Sequence, residues 1–561
     1  MNLKVKLVEN TYRAFVDRTN TKEDRWKTFE SIYEIKDDDS VRAFFPFKKG
    51  YISRVFSPDK INRCFRRGWI YYIISQMGSG KTTFVADNLV AEAQKTGELV
   101  LILFTRVAIA DSMKRKLLKK YSPEVERDYT SEGLRHLIRI ANVDVLLIQH
   151  CERKEIIEYI RASARNYRVV VFDECHALVD DAAFIDYSGD AYHRILKWCR
   201  ASTRIYMSAT MRWALDPLIE AEKDSYSGLD YSVGFIPRIT IYSFEFVFDY
   251  VQPIFFRSQN QVIKYIQKRK DERTLIFVDT KEKGRELLDV LNKETSGLAS
   301  FIDAQSKNAD KRDEYDRIVE EKKFDPTVLI CTKFLAMGVD LIDDEFKNII
   351  IFTLDRDDCI QQLGRKRIKD SGDELKLLLY EPTQDEVNNR IRRITNELKV
   401  FRENKDNIRT YEYGTKLPDH FVGVQVRNRV IIKPSMFYEC LCKNQISQLR
   451  LLRENARGEM LSWIPGCKEP GKLDKNGDIT FQSANSELDE FLSSLLDKEM
   501  TKEKMLPIQR RIFEICDYER RPDQKETFSS KILNELLEPL GYVQRNKSGA
   551  GKKGIYEIGR L

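Results

Sequence analysis

Cysteine is scarce in this chain. Ten cysteines are scattered over 561 residues, which excludes a small disulfide-stapled scaffold and fits reduced thiols. Cys440, Cys442 and Cys467 could begin a metal site, but no histidine lies near them and a fourth ligand is lacking, so they read as idle thiols. Long apolar runs are absent too. None approaches the roughly 18 residues of a spanning helix. The opening Met1-Asn2-Leu3-Lys4-Val5 has no apolar core of a secretion signal, so an intracellular protein with no membrane partner is expected. Neither sign of charge dominates: 95 basic residues face 88 acidic ones, for a net charge of +7. That excess suits a polyanionic partner without establishing one. There is no internal repeat and no long low-complexity tract.

What is present begins with enough material for three or four domains, since 42% of the 561 residues are hydrophobic. Ile70-Tyr71-Tyr72-Ile73-Ile74 reads as a buried strand. Ser75-Gln76-Met77-Gly78-Ser79-Gly80-Lys81-Thr82 follows it, and Thr82 to Ala93 reads as a helix. Strand, glycine turn and helix start are the context of a phosphate-binding loop. Gly78 and Gly80 allow backbone amides close to phosphate oxygens, and the helix N-terminus adds partial positive charge. Gln76 to Thr83, with Met77 and Ser79, would line the triphosphate. Lys81 would reach the β- and γ-phosphates, and the Thr82 hydroxyl would ligate Mg²⁺. The strict pattern has glycine where this chain has Ser75, a substitution small enough to be tolerated.

About ninety residues on, Val169-Val170-Val171-Phe172 suits a central parallel strand buried on both faces. Asp173 and Glu174 sit at its C-terminal end, where α/β sheets place their ligands. One carboxylate, Asp173, would stay on the metal while the other, Glu174, faces the γ-phosphate and orients or deprotonates a water. His176, one of five histidines, reads as a coupling residue.

Asp173-Glu174-Cys175-His176 resembles the second motif of superfamily 2 helicases, the DEAD/DEAH-box-like group. Ser208-Ala209-Thr210 resembles the third motif, which couples hydrolysis to nucleic-acid binding. Thr105-Arg106, after Leu99 to Phe104, resembles the first-lobe segment that touches the nucleic-acid backbone. Leu275 to Thr280 resembles the first strand of the second lobe, with Thr280 contacting phosphate. Val328 to Thr332 with Gly338-Val339-Asp340 resembles the fifth motif, and Gln361-Gln362-Leu363-Gly364-Arg365-Lys366-Arg367 the sixth. The matches run in order over roughly residues 68–395. The sixth motif departs from the commoner form: its second arginine is Arg367, and the commoner position is Ile368. The Gln-x-x-Gly-Arg-x-Arg form resembles certain viral and mobile-element helicases, including origin-binding ones. Two assignments stay open. Arg367 as arginine finger, with Arg365 as a structural or γ-phosphate partner, is favoured over the reverse.

The resemblance implies an α/β architecture of two tandem RecA-like lobes with parallel sheets, ATP and Mg²⁺ between them, and a nucleic-acid strand held across both. Gln361 and the two arginines would serve hydrolysis, and Gly338 and Asp340 the nucleotide. Thr105, Arg106, Thr280 and Thr332 would touch nucleic acid. The expected divisions are an N-terminal extension over 1–67, lobe one over 68–235, lobe two over 236–395, an accessory region and linker over 396–499, and a final domain over 500–561. Within these, Arg238 to Val251 reads as strands bridging to lobe two, and Trp463 to Asp478 as a Pro/Gly-rich linker. The last stretch reads helix (Pro507 to Tyr518), helix (Ser529 to Leu537), strand, basic loop, strand, which resembles a winged helix. Arg545, Lys547, Lys552 and Lys553 would meet phosphates from the wing, and Lys531 would lie near the groove-facing helix of the nucleic-acid-binding module. The reading expects an ATP-driven helicase or translocase. DNA is favoured over RNA as the track, with replication proteins of a virus or mobile element as partners. A nucleic-acid clamp that does not unwind is the alternative.

Overall fold

The computed structural model describes residues 40–45, 52–126, 131–182, 187–226, 238–303, 306, 314, 317–318, 321–333, 341, 346–366, 374–404, 410–412, 421–426, 429–434, 437–481, 491–496, 498–515, 530–537, 542–547 and 555–560. By its internal contacts the chain divides into two units. One is Met1–Phe246 with Arg409–Leu441, the other Val247–Ile408 with Cys442–Leu561.

The first unit is built on strands β1 (Ser40–Phe45), β2 (Ile70–Ile74), β3 (Leu99–Phe104), β4 (Arg139–Ile140), β5 (Val143–Leu147), β6 (Tyr167–Asp173), β7 (Thr203–Ser208) and β8 (Ile239–Phe244). They form one sheet in the order β1-β8-β2-β7-β6-β3-β5-β4. Every pairing is parallel except β4 with β5. Continuous apolar runs explain this arrangement. Val169, Val170, Val171, Tyr71 and Ile73 are all buried, as a parallel strand covered on both faces requires. Each such side chain contributes about 1.5–3 kcal/mol by leaving water.

Two divisions expected from sequence are corrected here. The extension 1–67 is not separate from lobe one. Ile52, Val55, Phe56, Ile61 and Phe65 all enter the core beneath β2, and β1 pairs with β8 in register Ser40↔Ile239. Residues 239–244 are not a bridge between lobes: β8 lies inside the first sheet, between β1 and β2. The alternation of Ile239, Ile241 and Tyr242 signalled a strand but not its sheet.

The second unit has strands β9 (Val251–Phe256), β10 (Arg273–Val278), β11 (Ala299–Ile302), β12 (Val328–Thr332), β13 (Phe346–Ile351) and β14 (Leu375–Tyr380). These are parallel throughout. Ser258 and Gln261 form a capping box at helix Gln259–Gln267, and the Asp355 side chain accepts from the amides of Asp357 and Asp358 to start helix Arg356–Leu363. Together the two sheets make an α/β protein with tandem RecA-like lobes.

In the accessory region, β15 (Thr410–Glu412), β16 (Phe421–Val426) and β17 (Arg429–Pro434) form a small antiparallel sheet. The expected linker 463–478 is a third correction. It yields β18 (Gly471–Leu473), which with β19 (Ile479–Phe481) forms a hairpin added in parallel to β9. Its Pro and Gly residues mark a tight turn instead. Gly477 has φ +79°, and a Cβ there would lie 2.5 Å from the Tyr265 amide nitrogen.

The final module contains β20 (Met500–Thr501), β21 (Tyr542–Lys547) and β22 (Ile555–Arg560) in the order β20-β22-β21. Helices Lys502–Ile515 and Ser530–Leu537 accompany them. Its core of Met505, Ile512, Leu533, Leu537 and Ile558 also takes in Leu492, so packing begins before residue 500. Among the described residues no helix is long and apolar enough to cross a membrane.

Candidate nucleotide and coupling site

The order β2-β7-β6 places three motif-bearing strand ends side by side. The phosphate loop follows β2, the Ser208-Ala209-Thr210 segment ends β7, and Asp173 ends β6. Backbone bonds fasten the three ends. The Ser75 amide donates to the Ser208 carbonyl at 3.2 Å, and the Cys175 amide to the Met207 carbonyl at 3.2 Å.

In the loop, Gly78 and Gly80 have φ of +76° and +90°, a region that costs other residues strain. Gly80 precedes helix Lys81–Thr83, which continues as a π-helical turn, Phe84–Leu89, and helix Val90–Thr96. Such π-turns recur at functional sites. Asn88 in that turn donates to the carbonyls of Ser53 and Phe56, each at 2.7 Å. This ties the segment before β2 to the helix after it. Ser75 is buried, and its hydroxyl accepts from the Ser79 hydroxyl at 3.0 Å. The serine that replaces glycine thus braces the loop from inside. Lys81 is only 7% exposed. Its Nζ donates to the Ser75 carbonyl at 3.1 Å and the Gln76 carbonyl at 3.5 Å. A buried ammonium held by weak neutral acceptors is poised to exchange them for phosphate oxygens. Thr82 is exposed, and Gln76, Met77, Ser79 and Thr83 are half-buried.

Asp173 is 5% exposed. Burial, and then the charge of Glu174, push its carboxyl up to about 7, against the opposing charges of Lys81 and His176. Its Oδ1 accepts from the Glu174 amide at 3.1 Å. Glu174 itself has φ +48°, a left-handed conformation that costs a non-glycine residue of order 1 kcal/mol or more. That turn aims its carboxylate back over β7. Ser208 is the hub there. Its Oγ donates to Glu174 Oε2 at 3.3 Å, lies 2.8 Å from His176 Nδ1, and accepts from the Thr210 amide at 3.0 Å. His176 Nδ1 is 3.3 Å from Glu174 Oε2. Ser208 and His176 therefore hold the Glu174 carboxylate together. Ala209 and Thr210 are buried beside them.

An aromatic ladder lies across the same three strands. Tyr72 on β2 and Phe172 on β6 are register partners of Tyr206 on β7. The rings stack at 4.8 Å and 4.6 Å. Tyr206 donates to Glu222 at 2.5 Å, and Glu222 pairs with fully buried Arg204 at 2.8 Å. Sequence reasoning passed over these residues. Their signal was an aromatic at matching depth in each strand.

Other expected contacts are placed as follows. Thr105 directly follows β3 and is buried, its carbonyl accepting from Gln149 at 3.0 Å. The Arg106 guanidinium pairs with buried Asp181. Thr280 is exposed and caps helix Lys281–Glu294, its side chain accepting from the Lys283 amide at 3.2 Å. Thr332 ends β12. In the second unit Gln361 and Arg365 are buried, and Arg365 Nε donates to the Gln361 carbonyl at 3.1 Å. Arg545 is exposed on β21. Gly338, Asp340, Arg367, Lys552 and Lys553 lie outside the described residues, as do the side chains of Lys531 and Lys547. Among the described residues no three His, Cys, Asp or Glu side chains gather as a metal site, and the described cysteines are free.

No curated protein matches the chain. Among solved structures, it resembles the helicase Lhr of Mycobacterium smegmatis bound to ssDNA and AMP-PNP, at 16% identity and a TM-score of 0.40, over 61% of this chain and 47% of that one. It thus spans about half of that relative's length. It also resembles the DEAD-box helicase Mss116 bound to ssRNA and UDP-BeF, at 13% identity and a TM-score of 0.44, over 65% and 80% of the two chains. A third is the DUF1998 helicase MrfA bound to DNA and AMPPNP, at 17% identity and a TM-score of 0.43, over 62% and 50%. Two family models match in succession: Type III restriction enzyme, res subunit, over residues 54–212, and Helicase conserved C-terminal domain over residues 258–368. The first covers the loop, the acidic strand end and the Ser-Ala-Thr segment, and the second ends just past Arg365, so residues 54–212 and 258–368 carry, in that order, the two domains these models describe.

Proposed function

We propose that the protein is an ATP-dependent nucleic-acid helicase or translocase acting on DNA. The observation that carries this is the gathering of Lys81, Asp173, Glu174, His176 and Ser208 at the ends of β2, β6 and β7. Lys81 exchanges the Ser75 and Gln76 carbonyls for the β- and γ-phosphates. Glu174, held by Ser208 and His176, orients the attacking water. Asp173 and the exposed Thr82 hydroxyl fit a hard divalent cation. Both offer oxygen, and a buried carboxyl pushed up to about 7 gains most from a cation that relieves its ionisation. When bound, Mg²⁺ supplies charge neutralisation along the phosphates. Arg365, just past helix Arg356–Leu363, donates from Nε to the Gln361 carbonyl, which supports a holding role for it and keeps Arg367 as the favoured finger.

The preference for DNA rests on the final module, whose β21–β22 hairpin carries exposed Arg545. Steady-state ATPase with matched DNA and RNA oligonucleotides, alongside strand displacement from a tailed duplex, tests the proposal. Stimulation and unwinding with DNA support it. Stimulation by RNA alone moves the track to RNA. ATP-dependent binding without displacement would point to a clamp.

A further inference from the structure

The sheet of the first unit has a second chemically distinct edge. In a parallel sheet all N-terminal strand ends emerge together, opposite the nucleotide site. Here that edge collects arginines. Arg66 precedes β2, Arg165 and Arg168 flank the start of β6, and Arg238 precedes β8. Trp69 sits among them, half-buried. Arg66 lies over its ring at 5.0 Å and Arg238 at 5.4 Å, so the indole is shared by two guanidiniums. The cluster is braced by backbone. The Ile70 amide donates to the Arg238 carbonyl at 3.0 Å, the Thr203 hydroxyl to the Arg66 carbonyl at 2.9 Å, and the Arg66 amide to the Tyr71 hydroxyl at 2.8 Å. Arg67 donates to the Arg165 carbonyl at 3.5 Å.

Acidic compensation is thin. Glu98 serves both Arg67 at 3.9 Å and Arg168 at 3.5 Å. Among the described residues no carboxylate pairs with Arg66, Arg165 or Arg238, and all three are exposed. The chain as a whole is nearly balanced, with 88 acidic residues against 95 basic ones, so the excess of positive charge at this edge is local. Strands β8, β2, β7 and β6 are consecutive, so the row spans three inter-strand steps, about 14 Å. That equals the axial length of about four phosphates on one strand.

We infer that this edge is a second contact for the sugar-phosphate backbone of nucleic acid, remote from the nucleotide site, which engages strand beyond the portion on the motor. Planar guanidiniums laid over an aromatic face, on arginines whose main chain is hydrogen-bonded in place, suit phosphate better than a flexible lysine patch would. The inference goes beyond the proposed activity and does not alter the residues assigned to it.

The test compares wild type with R66Q/R238Q. Binding of a short oligonucleotide, about ten nucleotides, and one of about sixty is measured as a function of salt, with DNA and RNA versions of each. The variant is expected to bind the long oligonucleotide about tenfold more weakly, with a log–log salt slope shallower by about 1.4 for two lost single-strand contacts. Short-oligonucleotide binding and the ATPase it stimulates should stay unchanged. R66K/R238K should recover most of the slope, because it keeps both charges. Arg165→Gln, at an exposed position off the Trp69 cluster, guards against a folding defect and should lower the slope by about half as much. Equal slopes for wild type and all variants on the long oligonucleotide overturn the inference. So does an equal loss on short and long. Failure of wild type to show any nucleic-acid-stimulated ATPase would instead count against the proposed function, while the salt slope still reads this edge.

Discussion

Asp173 shows how one side chain links burial to chemistry. Its carboxyl is raised because burial and Glu174 both oppose its charge. A group whose folded value lies above its ordinary one adds stability in full below the ordinary value, near pH 4, and that contribution is lost as pH rises through about 7. Two outcomes follow. Without nucleotide or metal, Asp173→Asn should melt several degrees higher than wild type at pH 8, with the difference shrinking steadily as pH falls toward 4, by calorimetry. Mg²⁺, which requires the deprotonated carboxylate, should bind about tenfold more weakly at pH 6 than at pH 8, read by titration of Mg²⁺-dependent nucleotide binding. A flat Mg²⁺ affinity across that range would remove Asp173 from the metal site. Ser208 offers a second residue-scale test. Ser208→Ala removes the hydroxyl shared by Glu174, His176 and the Thr210 amide. Turnover should fall by about tenfold or more while ATP binding barely changes. A loss confined to ATP binding would contradict the coupling role.

At the scale of elements, the strands that carry the site were legible because chemistry and hydropathy coincide there. Ile70 to Ile74 and Val169 to Phe172 are unbroken apolar runs, each ending in residues that need a strand end to work. Pairing was not legible, because a run says nothing about its neighbours. From sequence alone β8 therefore resembles a bridge, β1 part of an extension, and β18 a linker. The Pro/Gly density of 463–478 signals tight backbone, which a hairpin needs as much as a linker does. Likewise Arg106 and Thr280 have residue types that fit phosphate, yet Asp181 and a helix N-terminus occupy them in this structure. Gly477 tests the hairpin. Its φ of +79° and the 2.5 Å approach to the Tyr265 nitrogen leave no room for a methyl group. Gly477→Ala should destabilise the second unit by about 1–3 kcal/mol, with hydrogen exchange rising first in residues 471–481. Unchanged exchange there would mean the turn relaxes freely.

Over the whole molecule, the account joins a nucleotide site on one strand edge of the first unit, an arginine edge opposite it, and a separately cored module at the C-terminus. That module has its own apolar centre around Met505, Ile512 and Leu533. Removing residues 491–561 should therefore leave nucleic-acid-stimulated hydrolysis intact while weakening duplex DNA binding, measured by anisotropy. Undiminished duplex binding would take the module out of the DNA contact. The central claim is that Lys81, Asp173 and Glu174 act on one triphosphate in response to a nucleic-acid strand. Steady-state ATP hydrolysis with and without a single-stranded oligonucleotide, in wild type and in Glu174→Gln, tests it most directly. The account predicts strand-stimulated turnover in wild type and a loss of about a thousandfold in the variant with ATP still bound. Comparable turnover in the two proteins would contradict it.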